Sequence, residues 1–411
     1  MDEKNNIPQI RFKNFDENWE VKEFKEIFSN LPNNTLSRAE LNYQTGLFKN
    51  VHYGDVLIKF GELLDVKNDR IPFISNDAMG NKFKLSKLQN GDIIIADTAE
   101  DETVGKCTEL INAENENVVS GLHTIPVRPI QHFASKYLGY YLNSSSYHDQ
   151  LLQLMQGIKV LSISKSTLKS TVLVYPQEKL EQSKIGTYFQ NLDKLITLQQ
   201  QKHDKLVTLK KAMLDKMFPK EGADVPEIRF KGYTEDWEEK KLGAEVKITM
   251  GQSPNGMYYT DNPENYILVQ GNADMKNGRV SPRVWTTEIT KTAESGDLII
   301  SVRAPVGDIG KTDYDVVIGR GVAGIRGNEF IFQSLIRLNE LGYWKQFSSG
   351  STFESINSNV LKEAVLSIPS KDEQTKVGHF FKSFDQLINL QKRELEKLKQ
   401  IKKACLEKMF V

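Results

Sequence analysis

Along two stretches of this chain, about 178–218 and about 372–410, apolar residues return every seven positions. In the first the row is Ile185, Leu192, Gln199, Leu206 and Met213; in the second it is Val377, Phe384, Gln391, Leu398 and Cys405. A companion row lies four residues on: Phe189, Ile196, His203, Lys210 and Met217, against Phe381, Ile388, Leu395, Lys402 and Met409. Leu195, Leu209, Leu387 and Ile401, three residues on, are expected to widen the stripe. The period predicts two helices with a heptad seam and charged flanks. Neither stretch contains proline, and about 40 residues at 1.5 Å each gives rods of roughly 60 Å, longer than a small domain needs. Packing of each amphipathic helix on its own module remains the simpler alternative. Gln199 and Gln391 share one seam position near mid-helix. In an antiparallel pair they would meet, and a polar seam pair costs stability while fixing register. Two polar residues tolerated at a solvated point would look the same.

The remaining pattern is that of short elements. Apolar runs at 92–96 and 297–301 follow a Gly-Asp turn and read as buried strands, as do 118–119 and 316–318. Helical segments are expected at 133–155 and 329–347, so the fold class is α+β.

These elements occur twice. Ile7-Pro8-Gln9-Ile10-Arg11-Phe12-Lys13 is answered by Val225-Pro226-Glu227-Ile228-Arg229-Phe230-Lys231, and each is followed by an acidic residue and a tryptophan, Trp19 or Trp237. Asn90-Gly91-Asp92-Ile93-Ile94-Ile95 matches Ser295-Gly296-Asp297-Leu298-Ile299-Ile300, running on without a gap to Gly105-Lys106 and Gly310-Lys311. A third match begins at Gly157 and Gly350. The fourth is the helices themselves, which both end in Lys-Met-Phe, at Phe218 and Phe410. The first helix leads into the Val225 segment; the counterpart that should follow the second is found at Ile7, so the repeat is circular in character. Residues 1–177 are expected as one module, 178–220 as the first long helix, 221–370 as the second module and 371–411 as the second long helix. Between the anchors the modules diverge: 30–88 bears little resemblance to 250–293. A shared frame with different filling suggests two binding surfaces of one kind but different choice.

Composition narrows the class. The chain has 411 residues, too many for one ordinary core. No apolar run approaches the roughly 18 residues of a membrane span, and the polar start, Met1-Asp2-Glu3-Lys4, does not read as a signal peptide. Only two cysteines are present, Cys107 and Cys405; a disulfide framework is excluded and the cytoplasm is the expected compartment. Lys plus Arg and Asp plus Glu both number 54. Any nucleic-acid affinity must therefore come from a local basic face rather than from net charge.

Catalytic signals are absent. The six histidines and two cysteines show no ligand spacing, so no metal site is expected. Gly310-Lys311-Thr312 has the tail of a phosphate-binding loop, but Pro305 stands where its first glycine should be. Glu20-Val21-Lys22 and Glu238-Glu239-Lys240 match the short tail of a metal nuclease, a tripeptide common by chance. The segments at Gly157-Ile158-Lys159 and Gly350-Ser351-Thr352 are turns by default, and could turn backbone N–H groups toward a phosphate.

The order and duplication of these anchors resemble specificity subunits of type I restriction–modification systems, over nearly the full length. The carriers are the paired Pro-x-Ile-Arg-Phe…Trp openings, the Gly-Asp-Ile/Leu-Ile-Ile strands with their Gly-Lys, and the helices starting at Ile185 and Val377. Tyr53-Gly54-Asp55-Val56 with Lys59 and Ile71-Pro72-Phe73-Ile74 looks like one type of target-recognition domain; Gly251-Gln252-Ser253-Pro254 and Gln270-Gly271-Asn272-Ala273-Asp274 look like another. The resemblance implies two pseudo-two-fold-related target-recognition domains separated by two long antiparallel helices that form a coiled-coil spacer. It implies a non-catalytic subunit that reads a bipartite, asymmetric double-stranded DNA target. It also implies docking of two modification (methyltransferase) subunits, with restriction and translocase subunits in the full complex. S-adenosylmethionine, ATP and Mg²⁺ would belong to those partners. A coiled-coil protein scaffold that binds no DNA is the alternative. Candidate DNA contacts are Tyr53, Lys59, Lys106 and Lys159 in the first module. In the second they are Gln252, Asn272, Arg303, Lys311, Arg320, Ser351 and Thr352. Thr98 aligns with Arg303, so the modules would differ there. Arg11 and Arg229, in the repeated frame, are expected to be structural or partner-facing.

Overall fold

A computed structural model describes residues 6–347 and 355–411. Ser351 and Thr352 lie outside the described residues. Contacts divide the chain into two units, 1–198 with 395–411, and 199–394. Each unit therefore takes part of each long helix, where the sequence suggested helices separate from the modules. The reason is packing. Ile185, Phe189 and Leu192 join the core of the first unit, together with Met409 and Phe410. Leu214, Met217, Phe218, Val377 and Phe381 join that of the second.

In the first unit a five-stranded sheet runs in the order Phe28–Asn30, Thr124–Pro129, Ile93–Ala96, Cys107–Ile111, Leu63–Asp65. In the second, six strands run Lys247–Met250, Val322–Arg326, Leu298–Ser301, Ile309–Lys311, Arg279–Val280, Met275–Lys276. The Gly-Asp repeat is explained at the start of the central strand. Gly91 and Gly296 take φ of 82° and 95°, a conformation that glycine adopts at no steric cost. The next residue turns its carboxylate back on the loop: Asp92 accepts from Gln89 N–H at 2.8 Å and Asp297 from Glu294 N–H at 2.9 Å. The apolar run that follows alternates between two cores, because successive side chains point to opposite faces. Ile93 and Ile95 pack on one cluster, Ile94 and Ala96 on the other. Leu298 and Ile300 divide from Ile299 in the same way.

The circular repeat holds in three dimensions. Ile10 N–H donates to Lys408 O at 2.9 Å, and Ile228 N–H to Lys216 O at 2.9 Å. Arg11 forks onto the buried carboxylate of Glu181 at 2.7 and 2.9 Å; Arg229 does the same to Glu373 at 2.8 Å through both nitrogens. These arginines fasten each opening segment to a helix and are structural.

The long helices span Lys179–Lys216 and Lys371–Lys408. Within each unit their segments run antiparallel. In the first, Lys402 Nζ meets Asp193 and Glu62, each at 2.7 Å. In the second, Lys210 Nζ meets Asp385 at 2.7 Å, and Gln199 Nε2 donates to Gln391 Oε1 at 2.6 Å and Glu394 Oε2 at 2.7 Å. The seam lysines are thus paired rather than stranded. The stripe is narrower than the sequence suggested: Leu195, Leu209, Leu387 and Ile401 are 52%, 41%, 48% and 36% exposed. They face outward because they sit three residues beyond the seam, on the flank. Replacing both Gln199 and Gln391 by Leu is expected to raise thermal stability while loosening the register. Spin labels on the two helix segments of the second unit would show a broadened distance distribution; one as narrow as in the parent would contradict the register role.

Candidate nucleic-acid interface

Among the parallel strand pairs of each unit, one stands at a matching place outside the central strand. In the first, Lys49–Val51 pairs with Val118–Ser120; in the second, Tyr266–Val269 pairs with Val316–Ile318. The chain leaves both pairs in the same way. Gly121 N–H donates to Val51 O and Gly319 N–H to Val269 O, both at 2.8 Å; Asn34 N–H donates to Ser120 O and Gln252 N–H to Ile318 O, at 2.9 and 2.8 Å. Beside these ends lies the end of the central strand, at Thr98 and Arg303. Thr98 pairs with Ser162, and Arg303 bridges Ser355, so the segment that follows Gly157 and the chain at Ser355 reach matching places. Loops beyond the carboxyl ends of parallel strands are where open α/β sheets hold ligands.

The frame is shared, but the side chains on it are not. His52 stands where the second unit has Gln270, Leu122 where it has Arg320, Asn34 where it has Gln252, and Thr98 where it has Arg303. In the second unit these loops enclose a groove of about 500 Å³ lined by Ser253, Gln270, Asn272, Arg303 and Arg320 among others. Arg303 and Arg320 are exposed, and Ser253 Oγ holds the Arg320 backbone N–H at 3.1 Å. The groove therefore joins two cations to amide side chains that both donate and accept. Gln252 is exposed at its rim.

In the first unit the same place carries rings and a charge cluster. His52, Tyr53 and His123 pack in series with centroids 4.7 and 5.3 Å apart, and His123 Nδ1 lies 3.2 Å from Asp97. Burial, then the charge of Arg38, holds the His52 imidazole below its ordinary pKa. Its Nδ1 accepts the Gly54 N–H at 3.3 Å, which leaves Nε2 as the donor. Lys59 Nζ lies 2.9 Å from Asp55 and hydrogen-bonds the Tyr43 hydroxyl; these partners raise its pKa, Tyr43 most. Lys159 is exposed on the tip of a turn that only glycine can make: Gly157 has φ of 123°, and a Cβ there would lie 1.9 Å from Val160 O.

Two expected contacts are placed elsewhere. Lys106 Nζ turns inward and donates to Leu57 O at 2.8 Å. Lys311 pairs with Glu329 and stacks over Phe332 at 4.1 Å, in a different cavity. Burial depresses both ammonium groups. The structure thus brings Asn272, Arg303 and Arg320 together, with Gln252 at the rim, and sets Tyr53, Lys59 and Lys159 on the corresponding loops of the first unit. His52, His123, Arg38, Ser253 and Gln270 were missed. The available signal was the spacing: the interval from Trp19 to Trp237 also separates Val51 from Val269. Among the described residues, no group of three or more His, Cys, Asp or Glu is placed to hold a metal ion, and no helix is long and apolar enough to cross a membrane.

Comparison with known proteins bears on this geometry. The type I restriction modification DNA specificity domain family matches residues 16–208 and again 234–400. A protein of Methanocaldococcus jannaschii, provisionally named as the type I restriction enzyme MjaX specificity subunit, is 26% identical over 98% of this chain and 95% of its own length. The crystal structure of a type I restriction–modification S subunit from M. genitalium superposes with a TM-score of 0.64 at 16% identity, covering 98% of this chain and 99% of that one. A chain from a study of complex assembly and conformational transition in a type I system gives 0.55 at 22% identity, over 94% and 96%. At such identity the two structures support the fold.

Proposed function

This chain belongs to the type I restriction modification DNA specificity family, and from that premise we propose that each unit reads one half of a split, asymmetric double-stranded DNA target. The observation that carries the reading is the pair of faces: one frame, built twice, with different side chains at the same four places. A scaffold that binds no DNA would leave that difference without a use. Phosphate contacts from Lys59 and Lys159 would position the first unit, and base-edge contacts would discriminate. In the second unit Arg303 and Arg320 are the cations offered to DNA. Lys106 and Lys311, tied to internal partners, are assigned to the frame instead.

The long helices each begin in one unit and end in the other, so their length would set the unread gap between half-sites. The outward Leu195, Leu209, Leu387 and Ile401 offer an apolar flank for two modification subunits. Methyl transfer from S-adenosylmethionine and ATP-driven movement with Mg²⁺ are assigned to partner chains, with restriction and translocase subunits in the full complex. This chain acts as a non-catalytic subunit in the cytoplasm.

Arg303→Ala with Arg320→Ala tests the assignment. In complex with its modification subunit, the double variant is expected to bind target DNA about 10- to 100-fold more weakly. Its salt dependence would be shallower by up to about two charges, and recognition would relax only in the half-site of the second unit. Unchanged affinity and unchanged motif would contradict the role.

A further inference from the structure

In each unit, the short helical turn that follows the first parallel strand carries an aspartate with almost no exposed surface. Asp55 is 0% exposed and Asp274 4%. Each holds an exposed arginine from a segment outside the repeated anchors. Arg38 Nη1 donates to Asp55 Oδ2 at 2.6 Å, and Arg283 Nε to Asp274 Oδ1 at 3.0 Å. The arginines are 45% and 56% exposed. The second oxygen of Asp274 accepts the backbone N–H groups of Gln270 and Gly271 at 2.7 and 3.1 Å, and Asp55 also takes Lys59. The carboxylate of Asp274 is thus fixed by the turn that shapes its face, and that of Asp55 is held by Arg38 and Lys59.

A buried aspartate beneath an arginine is not by itself a binding device. Arg128 on Asp92, and Arg326 near Asp297, repeat one such pair within the common frame. Arg38 and Arg283 differ in that they do not correspond in the repeat: one precedes the parallel strand and the other follows it. Each nevertheless arrives at the same place, on the face where the units diverge.

We propose that Arg38 and Arg283 each read a guanine, one per half-site, with Asp55 and Asp274 as the residues that position them. This rests on the DNA-reading role proposed above. The pairing decides between base and phosphate. Arg283, neutralised by its buried carboxylate, adds little net charge toward a phosphate; Asp55 is shared between Arg38 and Lys59, so at Arg38 the choice rests on direction. What each arginine keeps is direction: with one N–H spent on the aspartate, the planar group presents its remaining donors at a fixed angle. Two parallel donors are what guanine O6 and N7 require. Lysine replaces the planar fork by a compact ammonium, so Arg→Lys keeps the ion pair and weakens the specific contact.

The test is methylation mapping of the chain with its modification subunit, comparing the parent with Arg38→Lys, Arg283→Lys, Asp55→Asn, Asp274→Asn and the frame control Arg128→Lys. Arg38→Lys is expected to relax one G·C position in the half-site of the first unit, with discrimination there reduced about 5- to 150-fold. Arg283→Lys should do the same in the other half, each aspartate variant should relax the position of its arginine, and Arg128→Lys should change nothing. Retention of the untouched half-site shows that the variant is folded. Full stringency in both lysine variants would overturn the inference while leaving the DNA-reading role in place. So would an equal loss on all sequences, the mark of a phosphate contact. A parent complex that yields no split motif would instead remove the premise.

Discussion

Phe410→Ala lowers the stability of the first unit by about 3–5 kcal/mol, the range for removing a buried aromatic ring. Phe410 is 4% exposed. Its ring lies 5.5 Å from Tyr141, 5.7 Å from Phe189, 6.0 Å from Tyr137 and 6.5 Å from Trp19. It therefore joins the end of the second long helix to the start of the first, to the helix at Tyr137–Leu142 and to the repeated tryptophan. Phe218 holds the matching position in the second unit, 5.3 Å from Phe330, 5.7 Å from Trp237 and 6.0 Å from Phe381. Phe218→Ala should cost a similar amount there. Hydrogen exchange resolved by segment is the suitable readout, because it reports opening of each unit separately. Loss of protection in 93–96 and 107–111 with Phe410→Ala, and in 298–301 and 322–326 with Phe218→Ala, is the expected pattern. A change below about 1 kcal/mol in either unit would contradict the packing described.

A seven-residue insertion in both long helices, after Leu198 and after Glu394, moves the recognised target to one with a longer gap. Those points are the boundary between the units. A heptad keeps the seam in phase, so neither core should be disturbed. Seven residues add about 10 Å of helix, equivalent to about three base pairs. The complex should stop methylating the parental motif and methylate one with the same halves and a gap about three base pairs longer. Methylation mapping of the two complexes side by side makes the comparison. An unchanged gap would refute the spacer role.

The frame was legible in the sequence because its signals are local. Heptads mark the long helices, Gly91-Asp92 and Gly296-Asp297 mark the turn into the central strand, and Lys-Met-Phe marks the ring that closes each core. The faces were only partly legible. Gln252, Asn272 and Tyr53 were found because they belong to short characteristic segments. Gln270 stands in the same segment as Asn272 but was not singled out, and His52 was not found, since correspondence between the two rests on backbone bonds that any side chain can carry. Arg38 and Arg283 were hidden for a further reason: each meets its aspartate by tertiary packing, 17 residues away in one unit and 9 in the other. Lys106 and Lys311 repeat in sequence as well, and the structure gives each an internal partner, Leu57 O and Glu329, that spacing alone did not announce. Leu195 and Leu387 repeat on the outside of the helices, where periodicity alone would have turned them inward.

The most direct test of the central claim is to express the chain with its modification subunit in a host free of other methyltransferases and to map modified bases across the genome. The expected result is a split motif with two unlike halves, one modified base in each, and a fixed unread gap. A continuous motif would contradict the two-unit division, and no motif from a demonstrably active partner would contradict DNA reading itself.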